Sequence, residues 1–255
     1  MPASYTPAEL MVVAAAREIR DYDVAFVGMR LPLLSFQLAN ATHAPHATSI
    51  FELGAVRDTP ASEMIYTMGD LPMACGAEWL TDLLDAMSLL QQGLVDVSFI
   101  GGAEIDRFGN LNTTYIGDYT RPLVRLPGSG GGCDLACLAK RSLIIMAHEP
   151  RRFIDKVSYI TSPGYGEGGN WRQEIGLPGG GPSAVITTLG VLRFDACTKE
   201  MYLQSIHPGV RVNDVRAATG WELRIADDLH QTPAPSTEEL GLLRQFDPEG
   251  FWTKE

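Results

Sequence analysis

Cationic residues are in short supply. Twenty Lys and Arg stand against 31 Asp and Glu, a formal net charge of −11. That balance argues against general nucleic-acid binding, which rests on clustered Lys and Arg. It leaves room for a phosphate-bearing small ligand, since backbone amides and a few local cations can hold one. Cysteine is scarce too: Cys75, Cys133, Cys137 and Cys197 are too few and too scattered for a disulfide framework. Cys133 and Cys137 can share a helix face, but no His or further Cys stands close enough for a zinc site, and no metal is expected. The histidines at 43, 46, 148, 207 and 230 are dispersed, with neither Ser-His-Asp logic nor metal spacing. Every apolar run is too short to span a bilayer. The stretch Met1 to Pro7 has no basic region leading into an apolar one, so no signal peptide is read and a cytoplasmic protein is expected. Repeats, low-complexity tracts and linkers are also missing, which leaves a single domain over 1–255.

What is present is enough apolar residue, 45%, to build a sizeable core. Thr6-Pro7 followed by Glu9 reads as a capped helix running to about Arg20. Asp23–Gly28 reads as a buried strand, Leu33–Ala44 as a helix, and Thr48–Leu53 as the next strand. A helix over Glu78–Leu90 and a strand over Asp96–Gly101 follow. A helix is also read from Cys133 to Lys140. Further strands are predicted at Ser142–Ala147, Val157–Thr161, Ser183–Leu189 and Met201–Ile206. A glycine-rich surface loop fills the interval from Ser162 to Pro182. A short helix at Asn213–Thr219 and one opening at Ser236 complete the chain. The alternation predicts an α/β fold: an open, mostly parallel sheet with helices on both faces.

Ligands of open α/β sheets bind beyond the carboxyl ends of strands. Glu52 meets that rule, and Gly54 gives the backbone freedom to turn just after it. A desolvated carboxylate beside a bound thioester can attack it and form an anhydride; a surface glutamate at a strand end would look the same. Gly128-Ser-Gly-Gly-Gly132 opens the helix read at Cys133, so its amides can meet an oxyanion or a phosphate. It is neither a P-loop nor a dinucleotide fingerprint. Gly101 and Gly102 end a strand and allow a ligand close to the backbone, and Glu104 just beyond is the second candidate acid. Asp106 and Asn110 suit a tight turn better than catalysis. Arg121, beside Ile116-Gly-Asp-Tyr119, belongs to a polar patch able to contact substrate. Arg151 and Arg152 fit either anion binding or a solvated charge run.

Taken in order, Phe51-Glu-Leu-Gly54, Gly101-Gly-Ala-Glu-Ile-Asp106, Gly109-Asn110, Ile116-Gly-Asp-Tyr119, Gly128-Ser-Gly-Gly131, His148-Glu-Pro-Arg-Arg-Phe153 and Thr161-Ser-Pro-Gly164 resemble the β subunit of family I CoA-transferases. Within that family the chain is most similar to the B subunit of glutaconate CoA-transferases, over about residues 8 to 250. The resemblance implies that Glu52 is the nucleophile of the Glu-x-Gly motif. It would pass through an acyl-glutamyl anhydride and a glutamyl-CoA thioester to move CoA between an acyl-CoA and a carboxylic acid. It implies that Gly130 and Gly131 stabilise the oxyanion, and that Gly54, Gly101, Gly102, Glu104, Gly128, Ser129 and Arg121 line the substrate site. The partner implied is a separate α subunit, without which the chain is inactive. No permanently bound cofactor is implied, the coenzyme A thioester being a substrate, and the most similar branch points to a dicarboxylic acyl group, with Arg121 or Arg125 on its distal carboxylate. Leu53 stands where the family usually has Asn or Ser, and Glu104 where it usually has Gln. Two other activities share the scaffold, a ring-cleaving CoA-thioester hydrolase and a decarboxylase, and a noncatalytic acyl-CoA-binding subunit is the further alternative. Retention of Glu52 favours transfer.

Overall fold

The computed structural model describes residues 4–254; Met1–Ala3, part of the stretch read for a leader, and Glu255 lie outside the described residues. In chain order the elements are α1 (Pro7–Ala16), β1 (Val24–Phe26), α2 (Leu31–Asn40), β2 (Thr48–Ile50), β3 (Ala55–Arg57), α3 (Leu71–Ala74), β4 (Trp79–Leu80), α4 (Leu83–Gln91) and β5 (Val97–Ile100). There follow β6 (Glu104–Ile105), β7 (Leu111–Asn112), β8 (Tyr115–Gly117), β9 (Pro122–Arg125), α5 (Gly132–Leu138), β10 (Arg141–Met146), α6 (Trp171–Glu174) and β11 (Pro182–Thr187). The chain ends with β12 (Gly190–Phe194), β13 (Met201–Ile206), α7 (Val212–Ala217), β14 (Arg224–Gln231) and α8 (Thr237–Phe246).

Two compact units result, one made of the chain up to Phe99 together with the part from Pro233 on, the other of Ile100–Thr232. In the first, strands run in the order β5-β1-β2-β3-β4. The inner pairs β1–β2 and β1–β5 are parallel, while β2–β3 and β3–β4 are antiparallel. Helices α1, α2 and α8 pack on one another. Every residue of α1 from Glu9 to Ala16 is buried, as expected of a helix apolar all round. Its start is a capping box: the Thr6 hydroxyl accepts from the Glu9 amide, and the Glu9 carboxylate accepts from the Thr6 amide. Arg244 of α8 then donates to Glu9 at 2.7 Å, closing a buried charge with a charge. Those partners hold the Glu9 carboxyl below its usual range even though burial, the largest single influence, pushes the other way.

In the second unit the order is β10-β11-β12-β13-β14, parallel at β10–β11 and β13–β14 and antiparallel between. Two small antiparallel ribbons, β6–β7 and β8–β9, stand apart from it. The α/β class holds; the antiparallel strands β3, β4 and β12 are additions to the expected parallel frame, and β14 is a further edge strand parallel to β13. Among the described residues no helix is long and apolar enough to cross a membrane.

Two predicted elements are corrected. The helix read over Glu78–Leu90 begins only at Leu83, capped by Asp82, whose carboxylate accepts from the Asp85 amide at 3.1 Å. Trp79 and Leu80 instead pair with Val56 and Ala55. The strand read over Val157–Thr161 is irregular, because its backbone serves other partners: the Ser158 amide donates to Glu104, and the Thr161 amide to the Leu111 carbonyl at 2.8 Å.

Candidate active site

Glu52 does not end a strand; it opens the turn of a hairpin. β2 and β3 pair with Ile50 opposite Val56, leaving the loop Glu52-Leu53-Gly54 between Phe51 and Ala55. The Phe51 amide donates to the Ala55 carbonyl at 2.9 Å, and the Gly54 amide to the Phe51 carbonyl at 2.8 Å. With Gly54 at φ +97° this is the common hairpin closure, a turn followed by a left-handed glycine. Gly54 is required twice over. A side chain there would adopt a disfavoured φ, and its Cβ would lie 2.4 Å from the Thr81 backbone. The Gly54 carbonyl also accepts from the Thr81 amide at 2.9 Å, so the turn is bolted to the residues that cap α4. Phe51, 1% exposed, anchors the base of the hairpin in the core. Glu52 itself is half-buried, and its carboxylate has no hydrogen-bond or ion-pair partner among the described residues.

Behind the turn lies a feature the sequence did not announce. Arg57, on β3, is buried with no acid on its guanidinium. It donates instead to the carbonyls of Met73 at 2.8 Å and Cys75 at 2.6 Å, with longer bonds to Thr59, Pro60 and Pro72. Burial pulls its pKa below the usual guanidinium value. One side chain thereby gathers the excursion between β3 and β4. Along the same edge the surface is apolar: Leu53 is 55% exposed, Leu80 57% and Leu84 73%, with Leu71, Trp79 and Leu83 also open to solvent.

The second unit holds most of the other candidate residues around the β6–β7 ribbon. Glu104 is buried, and its Oε2 accepts from Asn112 Nδ2 at 2.7 Å and from the Ser158 amide at 3.3 Å. Asn112 also bonds the Tyr115 carbonyl and the Thr114 amide, so this carboxylate is part of a structural clasp. Next to Asn112, Thr113 grips the glycine-rich loop. The Gly128 amide donates to the Thr113 carbonyl at 2.7 Å, and the Thr113 hydroxyl to the Gly128 carbonyl at 2.8 Å. Gly128 and Gly130 both have positive φ, +98° and +49°. The amides of Gly130 and Gly131 donate to no acceptor among the described residues. They are therefore available to an oxyanion.

Gly102 packs so closely on Leu111 that an added Cβ would lie 2.9 Å from its side chain, and Arg152 donates to the Gly102 carbonyl at 3.1 Å. Gly101 is exposed, with the Ile145 carbonyl 3.3 Å from where a Cβ would stand. Asp106 is a turn residue, as expected: its carboxylate accepts from the amides of Phe108 and Asn110 and from Asn110 Nδ2. Burial raises its pKa in spite of those donors. Arg121 lies in the exposed turn of the β8–β9 ribbon, its guanidinium without a partner among the described residues. Arg125 sits 6.0 Å from the Tyr119 ring. Arg151 and Arg152 both donate to Glu149, which answers the expected choice in favour of an ion-paired charge run.

Comparison with known proteins decides the family. Residues 8–218 match the family model described as Coenzyme A transferase. The chain belongs to the coenzyme A transferase family. It is 42% identical to the B subunit of the 3-oxoadipate CoA-transferase of Pseudomonas knackmussii, over 96% of this chain and 94% of that one. It is 37% identical to the B subunit of the glutaconate CoA-transferase of Acidaminococcus fermentans, again over 96% and 94%. The crystal structure of glutaconate coenzyme A-transferase from Acidaminococcus fermentans superposes with a TM-score of 0.92 at 34% identity, covering 100% of both chains.

Seen within this family, Glu52 and Gly54 share one turn, while Gly128, Ser129, Gly130 and Gly131 share one loop tied through Thr113 to the ribbon of Glu104. Sequence reasoning missed Arg172 as it missed Arg57. Arg172, also buried, lies in the expected surface loop and donates to the carbonyls of Gly179 at 2.9 Å, Gly164 at 2.8 Å and Ala136 at 2.9 Å. Burial lowers its pKa as well. Asp58 follows Arg57 and Glu174 stands two residues after Arg172, but both guanidinium groups bond backbone carbonyls instead, so the local sequence does not mark their role.

Proposed function

We propose that the chain is the β subunit of a heteromeric transferase that moves CoA between an acyl-CoA and a carboxylate acceptor, with Glu52 as nucleophile. The observation that carries this reading is the carboxylate itself: unpartnered, half-buried and fixed on a turn that Gly54 and Thr81 hold rigid. A nucleophile engaged in an ion pair would first have to give it up; this one does not.

The Glu52 carboxylate adds to the thioester carbonyl, and collapse of the tetrahedral oxyanion expels CoA thiolate and leaves an acyl-glutamyl anhydride. The thiolate then attacks the glutamyl carbonyl, giving a glutamyl-CoA thioester and releasing the first carboxylate. An incoming carboxylate reverses both steps and leaves with CoA, and Glu52 is regenerated. The free amides of Gly130 and Gly131 are assigned to the oxyanions, where losing one donor costs about 3 kcal/mol. Gly54 shapes the turn that carries Glu52, and Gly128 and Ser129 shape the loop that carries the two amides; Gly101, Gly102 and Glu104 support the substrate site by packing. The names of the relatives support a dicarboxylic acyl group such as 3-oxoadipate or glutaconate, with Arg121 or Arg125 free to meet the distal carboxylate. The exposed apolar edge beside Glu52 supports a partner subunit covering it.

The test is an exchange assay with the co-purified partner subunit, an acyl-CoA and a panel of carboxylic acids that includes 3-oxoadipate and glutaconate. Dicarboxylates should accept CoA, and Glu52→Gln should lower kcat by at least about a thousandfold with an unchanged melting temperature. Full turnover in that variant would leave the chain a binding role only.

A further inference from the structure

Cys133 and Cys137 lie on α5 directly after the glycine-rich loop, and the proposed transfer uses neither. Their sulfurs are 4.0 Å apart. Residues four apart on an α-helix have Cα atoms about 6 Å apart, within the span of about 4.4–6.8 Å that disulfides bridge. Neither thiol is fully buried, and among the described residues each has the other as its sulfur neighbour. The two ends of the helix are held very differently. At the C-terminal end Arg172 donates to the carbonyls of Ala136 and Cys137, and the amides of Gly179 and Gly180 donate to Cys137 and Lys140 at 3.0 Å. At the N-terminal end the Thr113 bonds stop at Gly128; past it Gly130 has open space where a Cβ would be, and the Cys133 amide hangs on the Ser129 hydroxyl at 3.1 Å. Drawing the sulfurs together therefore moves the less firmly held end: Cys133 is pulled toward a fixed Cys137, and the loop beyond Gly128 follows.

We propose that Cys133 and Cys137 form a redox modification site, a dithiol that low-molecular-weight disulfides convert into an intrahelical disulfide, displacing the Ser129–Gly131 loop. The Cys133 thiolate attacks the S–S bond of the small disulfide, forming a mixed disulfide and expelling one thiolate. The Cys137 sulfur, its proton passing to solvent, attacks the Cys133 sulfur and expels the second thiolate. Two cysteine sulfurs are oxidised by two electrons in all, and the reagent leaves as two thiols. Cys137 suits the resolving role: burial first, and the neighbouring Cys133 second, push its thiol up to about 11, so it reacts through proximity rather than as the entry point.

The test uses the assembled heteromer and glutathione disulfide, followed by alkylation and mass spectrometry. Trypsin leaves both sulfurs on one peptide, Leu126–Lys140. The expected product is that peptide lighter by two hydrogen atoms and free of alkyl groups, restored by dithiothreitol. Amide hydrogen exchange over residues 128–133 should change with it. Cys137→Ser should stop at a stable glutathione adduct on Cys133. Separate adducts on both cysteines, or two alkylated thiols after oxidation, would overturn the dithiol; a disulfide that leaves exchange at 128–133 unmoved would overturn its link to the loop. Loss of CoA transfer on oxidation, about a hundredfold if the oxyanion donors shift, rests on the reading of Glu52 given above. If the reduced heteromer transfers no CoA, that reading fails while the peptide and exchange results still judge this one.

Discussion

At the scale of single residues, the turn at Glu52 and the loop at Gly128 use glycine for different reasons, and alanine separates them. At Gly54 a methyl group meets both a disfavoured φ and backbone atoms 2.4 Å away. The conformation alone costs about 1–3 kcal/mol, and the clash adds to it. At Gly128 the φ of +98° is equally unsuited to alanine, but the space is empty. Urea unfolding should show Gly54→Ala losing more than about 3 kcal/mol and Gly128→Ala about 1 kcal/mol. Equal losses would mean that the Thr81 contact does not fix the turn. Both glycines and Glu52 were legible in the sequence, because an acid beside glycine and a glycine cluster are local patterns. Arg57 and Arg172 were not. What defines them is a set of backbone carbonyls from segments distant in sequence, and a charge surrounded by carbonyls leaves no periodicity to read.

The elements show the same division. The buried strands β1, β5, β10, β11 and β13 and the capped helices α1 and α8 follow from apolar runs and caps. The short strands β3, β4, β6 and β7 were invisible, since each owes its form to the strand it pairs with rather than to an apolar run of its own. The carboxyl end of β10 carries a consequence for stability. His148 there is 5% exposed and lies flat on Phe153, ring centroids 3.7 Å apart, with Nδ1 on the Thr187 hydroxyl and Nε2 on that of Thr219. Burial pushes its pKa down to about 3, and burial lowers that of His207 as well. Both rings are neutral in the folded chain where the unfolded chain takes up protons. Stability is therefore fully present above about pH 6.5 and falls with pH between there and the folded pKa. From pH 7 to pH 5, His148 alone should remove about 2 kcal/mol. Urea midpoints at the two values should show this, and His148→Gln should shrink the pH difference even as it lowers stability at pH 7. An undiminished difference would place the proton uptake elsewhere.

At the scale of the whole molecule, the chain presents Glu52 next to an apolar edge that a solitary soluble protein would not leave open. The partner subunit is the expected cover. Leu84→Glu puts a carboxylate into the first turn of α4, which suits the helix and spares the core. The chain should fold with an unchanged melting temperature and bind its partner at least about tenfold more weakly. Unchanged association, measured by analytical ultracentrifugation, would place the interface on another face.

The most direct test of the central claim is to trap the enzyme-bound thioester. The heteromer is mixed with an acyl-CoA and no acceptor, reduced with borohydride, digested and sequenced by mass spectrometry. If Glu52 carries CoA, its carboxyl should be recovered as the alcohol on the peptide Leu31–Arg57, in proportion to CoA bound, and Glu104 should be untouched. Turnover with an unmodified Glu52, or reduction at another carboxylate, would contradict the account.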